Sequence, residues 1–221
     1  MSLILWEFRK PLPNQMQFLA DKLTGYNYIG EGRDGNGSGE YSAIFYNKLK
    51  YKLVQQKTFW LSPTPDVPSK GWDAAYNRIC TYGLLENIRT KKRIWVFNTH
   101  FDHVGELARI ESTKLIINKI NAVNTKNYSI ILTGDFNLED SAESIKLLSA
   151  QLHDSKLHAL QKHGPEGTFN AFKFDKPVIT RIDYIFTSPN VTVNKYAVLS
   201  DSDHCRYPSD HLPVYTELDI K

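Results

Sequence analysis

Four short polar stretches interrupt apolar surroundings and carry residue types that do chemistry: Asn98-Thr99-His100-Phe101-Asp102-His103, Gly134-Asp135-Phe136-Asn137, Arg181-Ile182-Asp183-Tyr184-Ile185-Phe186 and Ser209-Asp210-His211. Asp135 and Asn137 leave the apolar run at 129–133 two residues apart, so both point the same way if the extended conformation persists. A carboxylate there can hold a hard divalent cation or orient a water, and a carboxamide can donate to a phosphoryl oxygen without repelling it. Taken alone, Gly-Asp-x-Asn is equally a turn with an Asx cap. Asp210 sets an oxygen ligand beside the imidazole of His211, which can act as acid, base or phosphate-stabilising cation; alone in a loop, such a pair is more often simply solvated. Asp183 interrupts an apolar strand, where a charge is costly unless paired. His211 is the natural partner, through its ring N–H, and a neighbouring Arg or Lys is the alternative. His100 is the better choice for chemistry in the fourth stretch, while His103 either caps the loop or touches substrate; each histidine alone reads as structural. Four polar groups at the ends of four apolar strands are harder to assign to chance, because sites form where strand ends converge.

The elements that must position these groups read as many strands and few helices. β-rich or alternating runs lie at 43–46, 53–56, 78–85, 94–99, 129–133, 182–187, 191–198 and 212–218. Helical patterns cover 15–23 and Glu106–Val123, the latter with Leu107, Ile110, Ile117 and Ile120 on one face, and a short helix opens at Ser141. The pattern predicts an α+β sandwich with helices packed outside two sheets. Residues 62–77 form a loop whose three prolines forbid a central strand. The 221 residues form a single domain, 41% hydrophobic and 23% charged, with the balance of an ordered protein.

A net charge of +3, with no long basic run, does not by itself imply binding to long DNA. Arg89, Lys91, Lys92 and Arg93 read as a hairpin turn. Two cysteines far apart in the chain, Cys80 and Cys205, make neither a metal knuckle nor a disulfide framework, and Cys80 reads as a buried strand residue. No stretch of 18 apolar residues is present, so no membrane segment is expected; a cytoplasmic location is favoured, with an upstream signal segment left open.

In this order, Asn-Thr-His-Phe-Asp-His, Gly-Asp-Phe-Asn, Arg-Ile-Asp-Tyr-Ile-Phe and Tyr-Pro-Ser-Asp-His-Leu-Pro-Val resemble the motifs of the endonuclease/exonuclease/phosphatase superfamily. Bacterial members are especially similar through Phe59-Trp60-Leu61-Ser62, Gly71-Trp72-Asp73 and Arg78. The resemblance implies a four-layered α/β sandwich, with two mixed sheets face to face. It implies hydrolysis of a phosphate ester with Mg²⁺ or Mn²⁺, a phosphodiester first and a sugar or inositol phosphomonoester second. The substrate is then a phosphorylated small molecule or a nucleic acid. A truncated, non-catalytic phosphate-binding module is the reading from another class.

By the same likeness Asp135 and Asn137 position water and phosphate, Asp183 orients His211, His100 meets the scissile phosphate, and Glu40 supports His100. Glu7 and Asp210 are the implied metal ligands. Arg78, His103 and Trp72 are candidates for substrate binding, although aromatic residues of the 62–77 loop also read as pins to the core. The family's first strand and helix find no counterpart, so Leu3-Ile4-Leu5-Trp6-Glu7 reads as the second strand, with Trp6 where Gln is usual. Sheet edges left unpaired by that shortening invite self-association.

Overall fold

The computed structural model describes the backbone of residues 3–7 and residues 15–220 in full. In chain order the strands are β1 (Leu3–Glu7), β2 (Tyr26–Ile29), β3 (Ser42–Asn47), β4 (Tyr51–Trp60), β5 (Ile79–Asn87), β6 (Arg93–His100), β7 (Ser129–Asp135), β8 (His153–Asp154), β9 (Gln161–His163), β10 (Asp183–Thr187), β11 (Val191–Val198) and β12 (Val214–Ile220). The helices are α1 (Gln15–Lys22), α2 (Glu106–Val123), α3 (Glu143–Ser149) and α4 (Ser155–His158). A six-stranded sheet runs β4-β5-β6-β7-β10-β8, and two three-stranded sheets run β1-β3-β2 and β12-β11-β9. The large sheet is mixed: β6 and β7 are parallel and joined by the crossover helix α2, and the other pairs are antiparallel.

Period-two alternation decides which side chains face which layer. On β6, Trp95 and Phe97 turn toward α2 and α3, where they join Tyr82, Leu132, Phe186, Ile116, Ile120, Ile145 and Leu148. Ile94 and Val96 turn the other way and meet Ile29, Ile44 and Tyr46 of one small sheet and Val191, Val193 and Leu218 of the other. Both small sheets thus pack on the same face of the large one. Each such fully buried apolar side chain is worth roughly 1.5–3 kcal/mol. The sandwich, with helices outside, is the expected architecture.

The details depart from the sequence reading in instructive places. α2 matches its expected span, but it buries Ala108, Ser112, Thr113, Ile116 and Ile120, while Leu107 is 50% exposed. Of the expected face, Ile120 is buried in the core and Ile117 packs against it, whereas Leu107 turns outward. α3 begins at Glu143 with Ala142 as its N-cap, rather than at Ser141. β4 is far longer than the expected 53–56, because its middle is solvated and only its ends are buried. β12 starts after Pro213, which has no N–H to give a ladder. Arg89, Lys91, Lys92 and Arg93 do lie at the β5–β6 hairpin, where Asn87 Oδ1 accepts from the N–H groups of Arg89 and Thr90. Cys80 is buried in β5. Among the described residues no helix is long and apolar enough to cross a membrane.

Candidate active site

The register of the large sheet puts three of the expected residues on one rung. His100 ends β6, Asp135 ends β7 and Asp183 begins β10, and Asp135 is the ladder partner of both others. Residues paired across adjacent strands share a face, so the three side chains emerge together. Gly134 makes the approach of β6 to β7 feasible: a Cβ there would meet the Thr99 carbonyl oxygen at 2.1 Å. The glycine of Gly-Asp-x-Asn is therefore required by close backbone packing.

His211 reaches this rung from the other layer. The chain before β12 runs beside residues 168–171: Leu212 N–H donates to the Thr168 carbonyl, and the N–H groups of Asn170 and Ala171 donate to the Asp210 carbonyl. Phe169 packs edge-on against the His211 ring. His211 Nδ1 lies 2.8 and 3.0 Å from the two Asp183 carboxylate oxygens. Arg181, the obvious cation for Asp183, is instead bound to buried Asp154 at 2.7 and 3.2 Å.

The result is nearly symmetric about Asp135. His100 Nε2 stands 3.7 Å from Asp135 Oδ2 and His211 Nε2 stands 4.0 Å from the same oxygen. Behind His100, Glu40 Oε2 lies 3.6 Å from Nδ1; behind His211 stands Asp183. Both Nε2 separations from Asp135 exceed a hydrogen bond. His211 Nε2 is buried and has no hydrogen-bond partner among the described residues. Asp135 Oδ1 accepts from the Asn137 N–H at 2.8 Å, with Asn137 in the left-handed region at φ 51°, and the Asn137 amide donates to the Phe101 carbonyl at 2.9 Å. Burial, together with the neighbouring His211 and His103 imidazoles, pushes the His100 pKa down to about 3, against the pull of Asp102. His100 is accordingly a neutral imidazole at pH 7.

Among the described residues, ligand atoms of Asp135, Asp183 and His211 lie within 4.8 Å of one another, the one such group able to hold a metal ion. Two carboxylates and an imidazole suit a hard or borderline divalent cation. Asp210 lies outside this group although it adjoins His211, and Ser209 Oγ stands 3.5 Å from its Oδ1. β1 pairs with β3 so that Glu7 opposes Ser42, but the Glu7 side chain falls outside the described residues.

The Gly-rich segment before β3 is a tight hairpin: Arg33 N–H donates to the Glu40 carbonyl, and bridges join Gly32 to Tyr41 and Gly35 to Ser38. Its register sets Arg33 opposite Glu40, and their side chains form an ion pair. Arg78 is buried; its Nη1 lies 3.7 Å from the same Glu40 oxygen, its Nε 3.4 Å from Asp102 and its Nη2 3.3 Å from His103 Nδ1. His103 is exposed and stacks on Tyr76, over whose ring the Arg33 guanidinium sits at 4.9 Å. Trp72 occupies a left-handed position (φ 47°), half-buried, and its indole makes no hydrogen bond or ring contact among the described residues. Trp60, by contrast, pins the loop, donating from Nε1 to the Arg33 carbonyl.

Three residues that sequence reasoning left without a role organise this region. Asp102 accepts from the N–H groups of Ala75, Tyr76, Val104 and Gly105. Asp73 accepts from the Leu107 and Ala108 N–H groups, capping α2 from a distant loop where Gly105 has no side chain to do so. Arg33 became visible only through the hairpin. A buried Asp beside a histidine motif, Asp102, was the one available signal.

The chain is 42% identical to a mannosyl-6-phosphatase of Bacteroides thetaiotaomicron, with a TM-score of 0.89 over 94% of this chain and 82% of that one. It is 34% identical to an endonuclease/exonuclease/phosphatase of Bacteroides vulgatus, with a TM-score of 0.92 over 100% of this chain and 85% of that one. An uncharacterized protein of Acanthamoeba polyphaga mimivirus is 31% identical over 175 residues, 76% of this chain and 61% of the viral protein. Residues 10–211 match the Endonuclease/Exonuclease/phosphatase family, and the chain belongs to that family, whose members hydrolyse phosphate esters.

Proposed function

We propose that this protein is a divalent-metal-dependent phosphatase that releases phosphate from a sugar phosphate monoester. The observation that carries the reading is the pair of imidazole Nε2 atoms facing Asp135 Oδ2 from two layers, each ring backed by a carboxylate. The likeness to a mannosyl-6-phosphatase at 42% identity supports the monoester over the diester that the motifs alone place first.

In this reading the water is oriented by Asp135 and attacks phosphorus, and the bond from phosphorus to the sugar oxygen breaks. His211, held through Nδ1 by Asp183, takes up on Nε2 the proton that the attacking water releases, Asp183 stabilises the imidazolium so formed, and the departing sugar oxygen is protonated from solvent. His100 serves as a neutral hydrogen-bond partner of the phosphate, supported by Glu40. Asn137 fixes Asp135 through its N–H. A Mg²⁺ or Mn²⁺ ion would be held by carboxylate oxygens, with Asp135 from the described group and Glu7 and Asp210 as the further proposed ligands, leaving His211 Nε2 to the proton transfer. Such a cation would supply neutralisation of phosphoryl charge. Arg78, buried beneath His103 and Glu40, positions those two residues.

The test is release of inorganic phosphate from hexose 6-phosphates with Mg²⁺, against a chelated control and beside bis-p-nitrophenyl phosphate. Metal-dependent monoester turnover well above diester turnover is expected. Faster diester cleavage would reverse the choice, and turnover unaffected by chelation would remove the metal.

A further inference from the structure

We propose that Tyr76, with its neighbours Arg33, Asp34, Asn77 and His103, is a carbohydrate subsite that seats the alcohol part of the substrate beside His100. The inference rests on the monoester reading and adds where the sugar lies and why it is a sugar.

The patch is built from three separate segments. Tyr76 is 51% exposed, yet its ring is held by stacking with His103 (centroids 5.8 Å, 20° between planes) and by the Arg33 guanidinium at 4.9 Å. Its backbone N–H is fixed to buried Asp102 at 3.2 Å. At its margin the Asn77 amide donates to Asp34 Oδ1 at 3.3 Å and reaches the Arg33 carbonyl at 3.5 Å. An exposed large aromatic held this firmly costs little further entropy on binding, and the part of its apolar body left exposed, with polar neighbours beside it, suits an apolar patch of a pyranose ring. Carboxylate, carboxamide and imidazole side chains supply the acceptors and donors that ring hydroxyls require.

The charge balance selects a neutral group. Arg33 and Arg78 are matched by Glu40 and Asp102, and exposed Asp34 adds a further negative charge. A second phosphate or a nucleic-acid backbone needs an excess of cations at the surface that receives it; among the described residues this surface has none. Its distance from the chemistry is one side chain: the Glu40 oxygen that pairs with Arg33 is 3.6 Å from His100 Nδ1.

The experiment compares mannose 6-phosphate with methyl phosphate, which keeps the phosphate and lacks the ring. Affinities are measured by calorimetry in EDTA, which reads binding whether or not turnover occurs, and kcat/KM is measured with Mg²⁺. Tyr76→Ala is expected to lower the preference for the sugar phosphate over methyl phosphate about tenfold in both readouts, Asp34→Ala several-fold, and Tyr76→Phe is expected to restore it. Equal losses on both ligands would show that Tyr76 merely supports the fold. An unchanged preference, or a parent protein with no preference for the sugar phosphate, would also overturn the subsite. If the preference in binding behaves as expected while no monoester is turned over, the subsite stands and the phosphatase reading falls.

Discussion

A neutral imidazole has one N–H, and the pairing of His211 Nδ1 with Asp183 settles where it is. The N–H is on Nδ1, so Nε2 presents its lone pair to the space beside Asp135, where the proposed phosphate would lie. Replacing Asp183 by Asn offers Nδ1 an amide N–H instead, which drives the proton to Nε2. Asp183→Asn is therefore expected to lower kcat roughly a hundredfold or more while KM changes little. Steady-state kinetics on a hexose 6-phosphate checks this, with circular dichroism to confirm an unaltered fold; an unchanged kcat would remove the dyad from the reaction. At this scale the sequence was most legible where a charge broke an apolar strand. Asp135 and Asp183 announce themselves because burial without a partner is so costly. Arg33 does not, since a residue between glycines gains its partner from hairpin register, which no local pattern of side chains encodes.

The loop at 62–77 is an element in its own right, tied to β6 and α2 by two carboxylates. Burial alone would raise the Asp102 pKa, but the N–H groups of Gly105, Ala75, Val104 and Tyr76 outweigh it and hold the carboxyl well below its ordinary value. A carboxyl depressed in the folded state stabilises the fold above its unfolded pKa, and that contribution is lost as pH falls through the folded value. The contribution is thus complete at neutral pH and drains away below about pH 4. Asp102→Asn removes it and turns an amide N–H toward backbone donors. The expected loss is about 2–4 kcal/mol by chemical denaturation at pH 7, with a flatter acid limb in the variant. Equal acid limbs would show that Asp102 takes no part. Strand ends and the span of α2 were readable from pattern, but its inward face only in part: Ile117 and Ile120 turn to the core as read, whereas in the first turn Ala108 is buried and Leu107 exposed. β2 escaped notice because its burial does not alternate, and β8 and β9 because they are too short to show any period.

For the molecule as a whole, two carboxylates held close together are a liability that a cation relieves. A cation that binds only the folded state stabilises it by mass action, about 2.7 kcal/mol at a hundred times Kd, or about 5–10 °C in Tm for a domain of this size. Mg²⁺ is expected to raise Tm on this scale, Asp135→Asn to abolish most of the shift, and Asp210→Asn to reduce it. Thermal scans with and without Mg²⁺ decide the matter; a full shift in Asp135→Asn would take that residue out of the ion's site.

The shared rung of His100, Asp135 and Asp183 also bears on time. β6 and β7 are parallel, so their pairing waits for α2 to form and fold back over the sheet, and β10 comes from nearly fifty residues farther along the chain. Long-range pairing of this kind is slow, and a slip of one residue would send Asp135 to the opposite face. During refolding, then, helices and hairpins can assemble early with no catalytic power. Under the phosphatase reading, turnover would return only when β10 locks into frame beside β7, making enzymatic activity a late and stringent clock for the completion of this fold.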